Sequence, residues 1–441
     1  MSNNREERPR LSGLVEEGSQ IGEDWLTRQP TVEYFGDKRL CITQYGGYEL
    51  TEPNIVDYLK KLWGSGKNRA ILAPEVLHYD DRNGLPFDIG RLVQEMRSRH
   101  SVKRSDQVPI LSLVDYGNDP TDLWFVAKMN LISALTGRKV IAIGNPGIDQ
   151  AKGLNREERR QIWQKSSFGP IAESILDAFN DARNQGLIPE GPIDLIGSSQ
   201  GARNVLALLG VLAGDKTKAD LLMVQDVMLT DPPGMTAQDP PRMLYRFGIA
   251  ELRRLERIRG LLARYHSGDK RLNQEYPVFS GFVKNLVKRV LLHFPTNLAT
   301  AVGFTRDSGL GDLWQALDEG VVKGRFTILD IDNSGVSYGG DFLRRVLGRG
   351  EKDLWDSIQN DPRYTELLDS LGQEMLKEIA QQYKNSPIAF QILFDQIVNG
   401  TSAVDAKVLH GSHGDPIMNV LRYAILVASS LGGKDNATQD A

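Results

Sequence analysis

The sequence predicts a doubly wound α/β fold on a mostly parallel sheet with a helical insertion, and two observations carry that expectation. From residue 105 onward, short and uniformly apolar runs alternate with longer amphipathic stretches, and strands apolar along their whole length are the kind that helices cover on both faces. One of these runs ends directly in Gly197-Ser198-Ser199-Gln200-Gly201, and a helical apolar pattern of Ala202, Val205, Leu206 and Leu209 starts directly after it. The 441 residues are 40% hydrophobic and 25% charged, a composition that supports a sizeable core and excludes wholesale disorder.

In chain order, residues 1–30 are polar and aperiodic and read as a flexible leader. Thr31 to Thr43 holds two short strand-like runs around Gly36-Asp37-Lys38, a β-hairpin pattern. Thr51 and Pro53 announce a helix to about Trp63, and residues 31–104 as a whole supply amino-terminal strands and helices to the core. Strands are expected at Val108–Val114, Lys139–Ile143, Pro192–Ile196, Val224–Thr230, Arg325–Ile331 and Ala406–Leu409. Helices are expected at 120–137, 169–185 and 200–213; Asp119 can cap the first of these, Pro120 suits its first turn, and Asp122 adds negative charge at its amino end.

The alternation stops after Thr230 and resumes at Arg325. Between Arg242 and Arg289 stand twelve Lys and Arg against four Asp and Glu, a net charge of +8. Residues 235–324 therefore read as a basic helical lid inserted into a core made of 31–234 and 325–435, with a further helical block over 340–400. Such a lid would suit an anionic acyl substrate or an acidic partner surface.

Several functional classes drop out. A net charge of −4 over the chain argues against a nucleic-acid binder. Cys41 is the only cysteine, so no internal disulfide or Cys-rich metal cage can form. Among six histidines only His410 and His413 have ligand spacing, and neither a phosphate-cradling Gly-x-x-x-x-Gly-Lys run nor a dinucleotide fingerprint occurs. No metal and no cofactor are expected. Met1 to Gly13 is polar, and no segment offers roughly 18 uncharged apolar residues for a membrane span, so a cytoplasmic protein is expected.

The chemistry concentrates at Ser199. In Gly197-x-Ser199-x-Gly201 the serine occupies a sharp strand-to-helix turn, and the glycines stand where a side chain would strike the neighbouring strand and helix. A hydroxyl needs a base, and the base needs an orienting acid. His413 is the candidate base, because it follows the last strand between Gly411 and Gly414, whereas His410 is still in strand register. Asp332, after the penultimate strand, is the candidate acid; Asp231, after the strand 224–230, is the competitor. For the oxyanion, the backbone N–H of Gln200 opens the helix, and the loop Asp115-Tyr116-Gly117-Asn118 is expected to supply a second donor at Asn118. Tyr116 and Met235 are candidate contacts to substrate.

These residues resemble the α/β-hydrolase fold superfamily. Asp115-Tyr116-Gly117-Asn118 stands where its members often have His-Gly, Gly144-Asn145-Pro146-Gly147 resembles their Asp-x-Pro-Gly, and the elbow, the insertion, Asp332 and His413 follow in the family's order. The resemblance covers residues 105 to about 430 and implies Ser199 as nucleophile, His413 as base and Asp332 as orienter in a serine hydrolase of esters, thioesters or amides. A non-catalytic member of the fold that binds a small ligand or a protein partner is the alternative.

Overall fold

A computed structural model of the chain describes residues 28, 30–35, 40–45, 108–116, 118–146, 153–235, 239–241, 245, 291–306, 308–331, 404–409 and 420–431. Its strands are β1 (Thr31–Phe35), β2 (Leu40–Tyr45), β3 (Ile110–Leu113), β4 (Val140–Ile143), β5 (Ile193–Ser198), β6 (Val224–Thr230), β7 (Phe326–Ile331) and β8 (Val404–Leu409). They form one sheet in the order β1-β2-β4-β3-β5-β6-β7-β8. β2 is antiparallel to β1 and β4, and all other pairings are parallel. The hairpin expected near residue 31 is therefore present, as the edge of the same sheet. The strands from β3 to β8 are all parallel, so their carboxyl ends lie along one edge of the sheet.

β3 is shorter than the apolar run that announced it, because its flanks find other partners. The Val108 carbonyl accepts from Arg138 Nε at 2.7 Å, and the Val114 N–H donates to Ile143 O at 3.4 Å. All four β3 residues are buried, as are all four of β4 and all six of β5.

The described helices are α1 (Leu123–Thr136), α2 (Arg156–Lys165), α3 (Gly169–Asn184), α4 (Gln200–Gly214), α5 (Lys216–Leu221), α6 (Phe294–Gly303), α7 (Ser308–Asp318) and α8 (Val420–Ser430). α1 begins three residues later than the Pro120 signal suggests. The acids ahead of it cap the preceding turn instead: Asp119 Oδ1 accepts the Thr121 N–H at 2.8 Å, and Asp122 Oδ2 accepts the Asp119 N–H at 2.8 Å. α2, which periodicity alone did not announce, is started by a capping box. Asn155 Oδ1 accepts the N–H groups of Glu157 and Glu158, and Glu158 Oε2 accepts that of Asn155 at 2.7 Å.

Two cores flank the sheet. On one face Ile175, Phe179 and Ile171 of α3, Leu206 and Leu209 of α4, and Leu313 and Ala316 of α7 close over Leu195 and Leu229. On the other, Phe125, Ile132 and Leu135 of α1 and Ala424 and Val427 of α8 close over Ile110, Ile196 and Leu329. Each such fully buried aliphatic or aromatic side chain contributes about 1.5–3 kcal/mol. This is the covered parallel sheet that the uniformly apolar strands predict. α6 and α7 belong to the interval 235–324; residues 246–290 of that interval lie outside the described residues. Among the described residues, no helix is long and apolar enough to cross a membrane.

Candidate active site

Ser199 joins β5 to α4 in a single residue. Its N–H still bonds sheet-fashion to Thr230 O at 2.9 Å, while its carbonyl already accepts the Arg203 N–H at 3.1 Å as the first bond of the helix. The whole reversal therefore falls on Ser199 itself, at φ 51° and ψ −124°. A left-handed conformation at a residue with a Cβ costs on the order of 1–3 kcal/mol and persists only where the surroundings over-determine it. The glycines on either side have the steric task read from the sequence. A Cβ on Gly201 would lie 2.0 Å from the Leu113 carbonyl oxygen of β3, and one on Gly197 would lie 2.5 Å from the Gly201 carbonyl carbon.

Gln200 is the first residue of α4, where backbone N–H groups have no intrahelical acceptor. Its side chain is buried and Oε1 has no hydrogen-bond partner. Asp231, the competitor acid, is buried directly after β6 with φ 49°, and its N–H donates to Leu329 O at 2.8 Å. Ser199, Asp231 and Ser166 are the non-glycine residues with positive φ among the described residues, and the first two end neighbouring strands.

The loop after β3 is buried around Asp115. Lys128 Nζ of α1 donates to Asp115 Oδ2 at 2.7 Å, and the Asn118 side-chain amide donates to the same oxygen at 3.3 Å. Ser198, the residue before Ser199, donates its hydroxyl to Asp115 Oδ1. Asn118 bonds its backbone N–H to the Asp115 carbonyl at 3.3 Å, which turns that group back into the loop, and its buried Oδ1 has no partner. Tyr116 is half-buried with its ring edge against Phe304, centroids 6.4 Å apart, and burial pushes its phenol above the usual range. Met235 is wholly buried in the core on the α4 face, next to Gly309.

Arg203, one turn into α4, was not singled out by sequence because an arginine in an amphipathic stretch reads as solvated. It is 1% exposed, bonds Asp312 of α7 at 2.7 Å, and lies 4.5 Å from the centroid of Phe168. Burial lowers its tendency to hold the proton and Asp312 opposes that shift. Ser198, Lys128 and Asn145 carry no local signal of their interactions either, because their partners Asp115 and Asn204 stand elsewhere in the chain.

Asp332, His410 and His413 lie outside the described residues. β7 ends at Ile331, immediately before Asp332, and β8 ends at Leu409, ahead of both histidines. Among the described residues no group of three or more His, Cys, Asp or Glu is placed to hold a metal ion.

No protein-family model matches the sequence, and no curated protein matches it. Solved structures are similar at low identity. A thioesterase domain from the curacin biosynthetic pathway is 11% identical, with 90% of this chain and 98% of that chain covered and a TM-score of 0.36. An acetylester hydrolase from Corynebacterium glutamicum is 11% identical over 75% of this chain and 86% of its own, with a TM-score of 0.34. An alpha/beta hydrolase enzyme from a Medee basin deep-sea metagenome library is 13% identical over 77% and 94%, with a TM-score of 0.36. The chain's own features carry the assignment: a mostly parallel sheet covered by helices on both faces, and a serine on a strained strand-to-helix turn between two sterically required glycines. By these it has the α/β-hydrolase fold.

Proposed function

We propose that this chain is a serine hydrolase that cleaves an ester, thioester or amide of a small acyl substrate through an acyl-enzyme on Ser199. The observation that carries the reading is the left-handed backbone of Ser199 between β5 and α4, a strain that packing alone gives no reason to keep. β6, β7 and β8 run parallel to β5, so the segments bearing Asp231, Asp332 and His413 begin along the same sheet edge as the elbow. His413 takes the Ser199 hydroxyl proton as Oγ attacks the carbonyl carbon and the carbonyl π pair moves to oxygen. The Gln200 N–H, backed by the α4 dipole, stabilises that oxyanion. The imidazolium then protonates the leaving group, and the acyl-enzyme forms. Water repeats the sequence and frees Ser199.

Asp332 orients the imidazole, with Asp231 as the alternative acid; the burial and left-handed backbone of Asp231 beside the elbow support keeping it. The loop that carries Asn118 is read as the second oxyanion element, although the Asn118 N–H itself is turned to the Asp115 carbonyl; Tyr116 and Met235 are read as the wall toward substrate, and 235–324 as a basic helical lid over this edge. The test is labelling with a fluorophosphonate. The intact protein should be modified at Ser199, and Ser199→Ala should not react; an unlabelled intact protein that is also inert toward a panel of activated esters overturns the reading. Comparing labelling of Asp332→Asn and Asp231→Asn then identifies the acid as the variant with the greater loss.

A further inference from the structure

Resting on the serine-hydrolase reading, we infer that Asp115 is a positioning residue that locks the loop after β3 to the nucleophile elbow through Ser198. Asp115 is 1% exposed, and its carboxylate receives three side chains from three directions: Ser198 Oγ from β5, Lys128 Nζ from α1 at 2.7 Å, and Asn118 Nδ2 from its own loop at 3.3 Å. Its backbone is held as well. Asn145, after β4, donates its amide to the Val114 carbonyl at 2.6 Å and reaches the Asp115 carbonyl at 3.5 Å, and Asn204 of α4 donates to Asn145 Oδ1 at 2.6 Å. The far end of the loop is fastened by Tyr45 of β2, whose hydroxyl donates to the Pro120 carbonyl. The loop is thus bonded to the residue before Ser199 on one face of the sheet and, through Asn145, to the helix after Ser199 on the other.

Stability alone does not account for this cluster. Removing a carboxylate and an ammonium from water costs several kcal/mol per ion, and well-packed apolar residues in place of such a pair are often neutral or stabilising. A buried pair has another effect: its geometry is stiff, and it fixes what it is bonded to. Here the two bonded bodies are the loop and the elbow, the two sources of oxyanion donors in the proposed mechanism. Such donors act only when held close to the position that the oxyanion will occupy. α8 extends the same cluster. Lys128 Nζ lies 4.6 Å from the Tyr423 ring centroid, and burial together with the Asp115 charge pushes the Tyr423 phenol above its usual range.

The experiment measures the second-order rate of fluorophosphonate labelling per folded molecule, well below the unfolding midpoint, for the intact protein, Asp115→Asn, Ser198→Ala and Asp226→Asn. Asp115→Asn keeps the volume and removes the charge; Ser198→Ala removes one hydroxyl and keeps the Lys128 pair, so it reports even where Asp115→Asn does not fold. Asp226→Asn perturbs a buried acid at the opposite, amino end of the strands. Labelling is expected to slow by about 10-fold to 100-fold in Asp115→Asn and by about threefold to tenfold in Ser198→Ala, the scale of effect for misplaced catalytic geometry. Asp226→Asn should label within about twofold of the intact protein even where it lowers the unfolding midpoint as much. If the intact protein labels but Ser198→Ala and any folded Asp115→Asn label as fast as Asp226→Asn, the positioning role is overturned while the hydrolase reading stands. If the intact protein itself does not label, the reading beneath it fails and the inference fails with it.

Discussion

The two ends of the sheet each bury carboxylates, and they use them differently. At the amino ends of the strands, Asp194 accepts from Arg138 at 2.6 Å and from the Asp226 N–H at 2.9 Å, spanning the irregularity where β5 and β6 shift register, and Asp226 accepts the Arg325 N–H at 2.8 Å. Burial raises the Asp194 carboxyl above its ordinary range and Arg138 opposes this. These bonds tie neighbouring strands together. At the carboxyl ends, Asp115 ties a loop to an elbow, two neighbouring strands end in left-handed residues, and Asn118 Oδ1 and Gln200 Oε1 are buried without partners. Unsatisfied polar atoms and strained backbone both cost stability. The buried carboxylates at the amino ends hold strands together, whereas the two left-handed residues that follow β5 and β6 lie at the other end, where the proposed chemistry would take place.

The largest expected effect lies at the strained end and concerns activity. Ser199→Ala should reduce turnover and labelling by about 10⁴-fold or more and shift the unfolding midpoint far less, since the change removes one hydroxyl and leaves the Cβ in place; a parallel loss of stability would blur the contrast between the ends. The next lies at the amino end and concerns stability. Arg138→Met strands the Asp194 carboxylate in the core and should cost about 3–5 kcal/mol in denaturant unfolding, with labelling of the surviving folded protein unaltered. Gly201→Ala should damage both at once: with a methyl 2.0 Å from a β3 carbonyl, the elbow must move away from the strand, at a cost of about 1–3 kcal/mol and with loss of labelling. The smallest effect lies at neither end. Asn155→Ala removes the exposed cap of α2 and should cost about 1 kcal/mol with no change in reactivity, which sets the background against which the other three are read.

Much of this was legible in the residue pattern. β4, β5 and β6 announced themselves because both their faces are largely buried, so apolar residues dominate them, with Asp194 in β5 and Gln225 and Asp226 in β6 as interruptions. The elbow was legible because close backbone approach leaves only glycine at 197 and 201. The start of α1 was misplaced because Asp119 and Asp122 satisfy the turn before the helix, and a cap and a turn former are the same residue type. Lys128 and Arg203 were unreadable for a sharper reason. A cation on a helix is usually solvated, and nothing nearby in sequence reveals that Asp115 or, across 109 positions, Asp312 will meet it in the interior.

The sequence by itself determined the class of fold, the covered sheet and the bend at Ser199, since each follows from local constraints: the period of apolar residues and the steric demand of a tight turn. Only the tertiary structure decided that the loop after β3 and the elbow are one bonded unit. Hydrogen bonds between residues as distant as Asp115 and Ser198 exist only once the sheet has set β3 beside β5, and no local propensity encodes that neighbourhood.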